Sequence, residues 1–266
     1  MQNYCKLRMV KPKKYLGQHF LKDKNIAKKI VDALGKVDMT YVLEVGAGTG
    51  VLTEFLLKKQ LDIYVIEIDS ESVVFLGRKF PELENRIFEK DFLKFDFSFF
   101  NNEIAVIGNF PYNISTQIVF KIIENKDIVT KAVGMFQKEV AERIAAKPGN
   151  KTYGILSVLT QAFYDTEYLF TVSENVFYPP PKVKSGVIRL TRKDNYKLAC
   201  DEKLFKQIIK ASFNQRRKIM RNSLKSITSN FDIEDEILKC RPEQLGVEDF
   251  IRLTNLIFNE IKNQKG

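Results

Sequence analysis

The sequence predicts an α/β fold: a Rossmann-like domain over residues 1–193, followed by a small all-α domain over 194–266. Three observations lead there. A strand, a glycine turn and a helix follow one another between Tyr41 and Leu56. Short apolar runs then recur, each ending on an acid or a polar residue, as buried strands of a parallel sheet do. Beyond about Asp194 the strand pattern stops, and helical periodicity joined by short turns replaces it.

Residues 1 to 24 have no clear period. Lys11, Lys13 and Lys14 form a basic arm that can stay solvated or contact phosphates. A helix follows, with Ile26, Ile30, Val31 and Leu34 on one face and Asp23 or Asn25 as its cap. Tyr41-Val42-Leu43-Glu44-Val45 reads as the first strand of the sheet, and Gly46-Ala47-Gly48-Thr49-Gly50 as the turn after it. Glycine lets a ligand approach the backbone closely and permits positive φ. The spacing is G-x-G-x-G, without the dinucleotide spacing or the Lys-Ser/Thr ending of a phosphate loop. It points to a nucleoside ligand without phosphates, such as S-adenosyl-L-methionine.

The second strand, Ile63 to Glu67, ends in an acid seventeen positions after Gly50. An acid there can accept from both ribose hydroxyls. Glu67 is the choice; Asp69 is the alternative, or the cap of the next helix. The third strand, Ile87-Phe88-Glu89, leads to Asp91-Phe92. Asp91 can accept from an adenine amine while a neighbouring backbone N–H meets the ring; a solvated loop acid is the plainer reading.

The fourth strand, Ile104 to Ile107, ends at Gly108 and presents Asn109-Phe110-Pro111-Tyr112. Ligands of open α/β sheets collect at the carboxyl ends of strands. An amide oxygen, constrained carbonyls and a stacking ring suit an exocyclic amine on a flat heterocycle. Alone, the tetrapeptide also reads as a strand-ending turn. Ser115 or Thr116 caps the next helix, and Ala132 to Phe136 forms a fifth strand. Gln137 to Ala146 and 153 to 163 read as helices, with the basic loop Lys147 to Lys151 between them. Tyr168 to Val172 and Val187 to Leu190 close the sheet, flanking a rigid loop, Val176 to Pro181. Beyond them, Asn214 to Lys218 with Arg221 is the densest basic segment. It reads as a helix for phosphate contact or as a solvated helix face. Further helices fit Ile233 to Leu238 and Glu248 to Ile261.

Composition narrows the class. The 266 residues carry 43 Lys and Arg against 33 Asp and Glu, a net charge of +10, which favours a polyanionic partner. No apolar run reaches a membrane span and no signal-peptide pattern opens the chain. Cys5, Cys200 and Cys240 fit no zinc spacing, and three cysteines fit a reducing compartment such as the cytoplasm. With His19 as the one histidine, no metal site is expected.

Taken together, several blocks resemble the rRNA adenine N6,N6-dimethyltransferases, and within them the small-subunit rRNA enzymes of bacteria. They are Tyr15-Leu16-Gly17-Gln18-His19-Phe20-Leu21, Glu44 to Gly50, Asn109 to Asn113, and Phe177-Tyr178-Pro179-Pro180-Pro181-Lys182-Val183. Phe213 to Lys218 and Arg241-Pro242-Glu243-Gln244-Leu245 complete the set. The resemblance spans nearly the whole chain. It implies S-adenosylmethionine binding at His19, Leu21, Gly46, Glu67, Asp91 and Asn109, with Gln18, Gly48 and Phe92 in the same blocks. Many members carry asparagine where this chain has His19, and leucine or isoleucine where it has Phe110.

The chemistry implied is methyl transfer to an adenine amine. The Asn109 side-chain oxygen and the Phe110 carbonyl would hold the amine hydrogens, Tyr112 would stack on the base, and Phe177 would form the opposite face or the pocket wall. Lys147, Lys151, Arg216, Arg217, Lys218 and Arg221 would contact RNA phosphates. The implied substrate is a pair of adjacent adenosines near the 3′ end of small-subunit rRNA, in a partly assembled small ribosomal subunit, and the family implies a monomer. Three alternatives remain: a large-subunit rRNA methyltransferase conferring antibiotic resistance, an assembly factor that mainly binds, and a DNA adenine methyltransferase.

Overall fold

A strand buried on both faces needs apolar residues at nearly every position, and the runs at 41–45, 63–66 and 104–107 meet that need. In the computed structural model, which describes residues 10–35, 41–228 and 233–264, all three are strands. Cys5 lies outside the described residues. The chain divides into two units, Met1–Ala141 with Glu167–Arg192, and Glu142–Thr166 with Lys193–Gly266.

The elements begin with β1 (Phe20–Leu21), α1 (Lys24–Asp32), β2 (Tyr41–Val45), α2 (Thr53–Leu56) and β3 (Asp62–Glu67). Then come α3 (Ser70–Lys79), β4 (Ile87–Glu89), β5 (Ile104–Asn109), α4 (Ser115–Glu124), β6 (Val129–Gln137) and α5 (Lys138–Ala145). After them lie α6 (Ile155–Phe163), β7 (Tyr164–Val172), β8 (Phe177–Tyr178) and β9 (Ser185–Arg192). The last helices are α7 (Glu202–Asn214), α8 (Met220–Ser223), α9 (Lys225–Thr228) and α10 (Val247–Asn263).

Seven strands form one sheet in the order β4-β3-β2-β5-β6-β9-β7. The first five are parallel, and β9 runs antiparallel to β6. From β2 the chain steps outward through β3 to β4, then returns to the other side of β2 with β5. That reversal opens a crevice at the carboxyl ends of β2 and β5, where ligands of such sheets bind. Gly46 follows β2 and Asn109 ends β5, so the fold places the glycine turn beside the tetrapeptide. Ile30, Val42, Leu56, Val65, Leu76 and Ile107 belong to the apolar core around these strands.

The helix ends follow local chemistry. Asp23 caps α1 by accepting from the Asn25 and Ile26 N–H groups, and Asp69 caps α3 through the Glu71 N–H. The expected cap of α4 by Ser115 or Thr116 is not found. Ile114 occupies the cap position without a side-chain bond, and the Ser115 hydroxyl donates back to the Tyr112 carbonyl.

Three larger differences from the sequence reading have physical causes. Residues 142–166, expected in the first domain, belong to the second unit. Helix α6 buries Leu156, Val158, Leu159, Ala162 and Phe163, nearly its whole circumference, so it needs helices around it. Tyr153 meets Phe213, which meets Phe250 of α10, in that unit. Second, α7 ends at Asn214, so Arg216, Arg217 and Lys218 lie in a turn and Arg221 in α8, not on one basic helix. Third, the expected helix from Ile233 to Leu238 is a short 3-10 turn at Glu236–Lys239, which Asp235 caps late through the Ile237 N–H.

No described helix is long and apolar enough to cross a membrane.

Candidate active site

The glycine turn is built by backbone conformation. Gly46, Gly48 and Gly50 have φ of +70°, +53° and +73°. At Gly48 a side chain is excluded twice over, because an added Cβ would lie 2.8 Å from the Phe20 ring. The Gly48 N–H donates to Glu67 Oε2 at 2.9 Å, tying the turn to the end of β3. Glu67 Oε1 accepts from the Ile68 and Asp69 N–H groups at 2.9 and 3.0 Å. Burial raises the Glu67 carboxyl above its usual range, and those three N–H groups oppose the rise. An ionised carboxylate has about four acceptor positions, so Glu67 keeps room for a ligand hydroxyl.

Asn109 ends β5. Its Nδ2 donates to the His19 carbonyl at 2.8 Å. A carbonyl can only accept, so this bond fixes which end of the amide is nitrogen. Oδ1 is left as an acceptor, and no protein donor meets it among the described residues. The Phe110 carbonyl likewise meets none among them. The Phe110 ring is buried against Phe136, 5.0 Å away at 62°. It fits over Gly134, where a Cβ would lie 2.1 Å from it, so β6 makes the space that the larger ring needs. The Tyr112 ring lies 5.5 Å from the His19 ring and its phenol bonds the Ser185 hydroxyl at 2.5 Å. Burial raises the Tyr112 phenol, and the Ser185 bond partly offsets it.

The Gln18-His19-Phe20-Leu21 block is held by a pairing absent from the sequence reading. Strand β1 pairs antiparallel with β8, Phe20 opposite Tyr178 and Leu21 opposite Phe177. His19 Nδ1 lies 2.7 Å from the Pro179 carbonyl, so that ring nitrogen carries the proton and donates. Gln18 bonds the Lys13 N–H through Oε1 and Asp69 through Nε2. Lys13 pairs with Asp69, so this arm lysine is engaged within the protein. Burial alone would raise Asp69, but hydrogen bonds from Lys13, Ser72 and Gln18 hold it below the usual range.

A cleft partly open to solvent gathers Gln18, His19, Gly46, Gly48, Glu67, Asn109, Phe110 and Tyr112. Ile68, 52% exposed at its wall, adds a flat apolar face. A second, smaller cleft shares Phe20, Gly46 and Asn109 with the first and adds Leu21 and Glu44.

Three expected site residues line neither space. Asp91 caps a 3-10 turn through the Leu93 N–H at 2.9 Å, and the buried Phe92 ring packs edge-on to Phe97. Phe177 is 1% exposed and belongs to the apolar core. Side chains alternate along a strand, so β8 turns Phe177 inward and leaves Tyr178, at 59%, outward.

Glu44 is the residue that sequence reasoning passed over. The available signal was an acid inside an otherwise apolar strand. Its side chain is buried, Thr53 donates to Oε2 at 2.6 Å, and Oε1 has no partner. Burial pushes its carboxyl up to about 7, opposed by Thr53 and reinforced by Glu67. The ordinary value is 4.5. Between these values the folded chain keeps a proton that the unfolded chain has lost, so stability falls as pH rises through that window and is level above it. The loss is about 3 kcal/mol at about 1.4 kcal/mol per unit. Denaturant midpoints measured against pH should show that decline in the ligand-free protein. Glu44→Gln should flatten it and be the more stable chain at pH 8.

The expected phosphate contacts belong to the second unit. Lys147, Lys151, Arg217, Lys218 and Arg221 are exposed there. Arg216 is half-buried and donates to the Asn150 carbonyl at 3.3 Å, and the Gly149 N–H donates to the Glu243 carbonyl at 2.7 Å. The basic loop 147–151 is thereby fastened to the basic turn after α7. Among the described residues no group of His, Cys, Asp and Glu could hold a metal ion.

A family model described as "Ribosomal RNA adenine dimethylase" matches residues 9–262. A protein of Flavobacterium johnsoniae named "Ribosomal RNA small subunit methyltransferase A" is 59% identical over 251 residues, spanning 93% of this chain and 96% of the relative. One of the same name from Bacteroides thetaiotaomicron is 57% identical over 260 residues, spanning 96% and 97%. Among solved structures, a dimethyladenosine transferase from Plasmodium falciparum superposes with a TM-score of 0.76 at 26% identity, covering 91% of this chain and 98% of that one. The 23S rRNA methyltransferase ErmE superposes with a TM-score of 0.68 at 22% identity, covering 89% and 99%, a likeness of fold.

Proposed function

The chain belongs to the ribosomal RNA adenine dimethylase family, and from that premise we propose that it dimethylates the N6 amines of two adjacent adenosines near the 3′ end of small-subunit rRNA. S-adenosylmethionine, when bound, supplies the electrophilic methyl group. The substrate is a partly assembled small subunit in the cytoplasm, and the enzyme acts as a monomer.

The observation that carries this reading is the orientation of Asn109. Its amide nitrogen is committed to the His19 carbonyl, so Oδ1 and the Phe110 carbonyl are two open acceptors at one cavity. An adenine amine is a poor nucleophile because its lone pair is delocalised into the ring. Two acceptors that take its two hydrogens in a tetrahedral arrangement draw the lone pair out of conjugation. The residues then contribute alignment and electrostatics. No general base is needed before attack; the nitrogen becomes cationic as the methyl leaves the sulfonium, and it then loses its proton to solvent or to a nearby acceptor. Tyr112 stacks on the base, which must leave its own stack to reach the pocket. The open cavity leaves room for a first methyl group while the second is added.

The donor fits the remaining groups. Glu67 would hold its ribose, the bare glycine turn would admit its linking chain, and Ile68 would pack on its base. The unpaired Oε1 of Glu44 suits its ammonium group. Asp91 is retained as an adenine contact through the carboxylate oxygen that Leu93 does not use.

The test is transfer of labelled methyl from S-adenosylmethionine to purified small subunits that lack the modification, with large subunits alongside. Label recovered as N6,N6-dimethyladenosine in small-subunit rRNA supports the reading; label confined to large-subunit rRNA overturns it. The phosphate contacts carry a separate expectation. Removing one phosphate contact lowers the slope of log affinity against log salt by about 0.7–0.9. Arg217→Ala and Lys218→Ala should each show that change in subunit binding without altering donor affinity. An unchanged slope in both would remove the basic turn from the interface.

A further inference from the structure

We propose, on the stacking role given to Tyr112 above, that Ser185 is a positioning residue for methyl transfer, holding the Tyr112 ring at the angle that stacking on the target base requires. Ser185 opens β9 and is fully buried. Register places it opposite Gln137 of β6, and the Lys138 N–H donates to the Lys184 carbonyl at 2.9 Å. The next residue, Gly186, is packed so closely that a Cβ there would lie 2.7 Å from that of Ala141. Ser185 therefore sits on a paired and closely packed stretch of the sheet. Its hydroxyl has one partner among the described residues, the Tyr112 phenol 73 positions earlier.

Tyr112 has no such support of its own. It lies in the turn between β5 and α4, outside any strand or helix. Rotation about χ1 would carry its ring among staggered wells. The His19 ring lies 5.5 Å away, tilted by 30°. The Ser185 bond fixes the far end. Stacking needs only the ring face, so a phenylalanine would serve a base equally well; the phenol oxygen is explained by the anchor. Productive geometry is held within about 0.5 Å and 10–20° when supporting groups come from rigid elements. The hydroxyl passes the precision of β9 to a residue on a turn.

The test compares Ser185→Ala, Tyr112→Phe, their double variant and Tyr112→Ala in methyl transfer to small subunits. Ser185→Ala and Tyr112→Phe should each lower kcat about tenfold. Donor affinity and the KM for subunits should stay as in the parent, and unchanged donor affinity also shows that the site is folded. The double variant should be no slower than either single variant, because both remove one bond. Fluorescence of 2-aminopurine at the target position should be quenched less in Ser185→Ala than in the parent. Full kcat in Ser185→Ala and Tyr112→Phe, with Tyr112→Ala impaired, would overturn the positioning role and leave the stacking role standing. Full kcat in Tyr112→Ala would overturn both. Multiplying losses in the double variant would also overturn the proposal, since the two groups would then act separately.

Discussion

Asn109→Ala should lower kcat for methyl transfer by about 10³-fold while donor affinity changes little. Loss of one preorganised polar group at a reacting centre costs about 10²–10³ in kcat, and Asn109 combines two such tasks. In the proposed reaction its Oδ1 would take one hydrogen of the target amine, while its Nδ2 fixes the His19 carbonyl at the start of the β1 strap. Asn109→Asp separates them. A carboxylate keeps the acceptor facing the amine but has no hydrogen for His19, so an oxygen would oppose that carbonyl. Single-turnover transfer, with donor binding followed calorimetrically, reads both effects. Asn109→Ala at parental kcat would remove the residue from the reaction. A loss in donor affinity as large as the loss in kcat would make it a donor contact only.

Glu67→Ala should weaken donor binding by at least about 100-fold and destabilise the chain by about 3 kcal/mol. The carboxylate satisfies the N–H groups of Gly48, Ile68 and Asp69. An unsatisfied buried donor costs about 1–3 kcal/mol, which entering water partly relieves. Glu67→Gln divides the two roles. The amide oxygen can still accept from Ile68 and Asp69, whereas the amide nitrogen would face the Gly48 N–H. Stability should recover in large part, and donor affinity should not. Equal losses of both in Glu67→Gln would mean that this acid supports the turn and does not meet the ligand.

Local features of the sequence disclosed the centre of the site. Val42 to Gly50 and Ile104 to Tyr112 are single runs in which a strand, its end and the residues beyond it can be read together. The switch point between β2 and β5 then brings the two runs side by side. The pairing of Phe20 with Tyr178 was hidden because two-residue strands have no period to detect and their partners are far apart in the chain. The inward turn of Phe177 follows from that pairing and was hidden with it. Helix α6 read correctly as a helix, but its unit depends on Phe213 and Phe250, which periodicity near 155 does not reveal. The basic segment was drawn too far into a helix because Asn214-Gln215 carries neither the glycine nor the proline that marks most helix ends. Glu44 was visible but had no assigned role, since its meaning lies in the unpaired Oε1.

The β1–β8 strap also has a bearing on biosynthesis. His19 and Pro179 meet across 160 positions. A growing chain presents its glycine turn and Asn109 early, yet the carbonyl that orients Asn109 is secured only after the Tyr178 segment has left the ribosome. Contacts this distant in sequence form late and slowly. Nascent chains stalled after Asn150 should therefore leave the donor uncaptured, whereas chains stalled well beyond Arg192 should retain it. The catalytic unit becomes competent only once its last strand, β9, has been made.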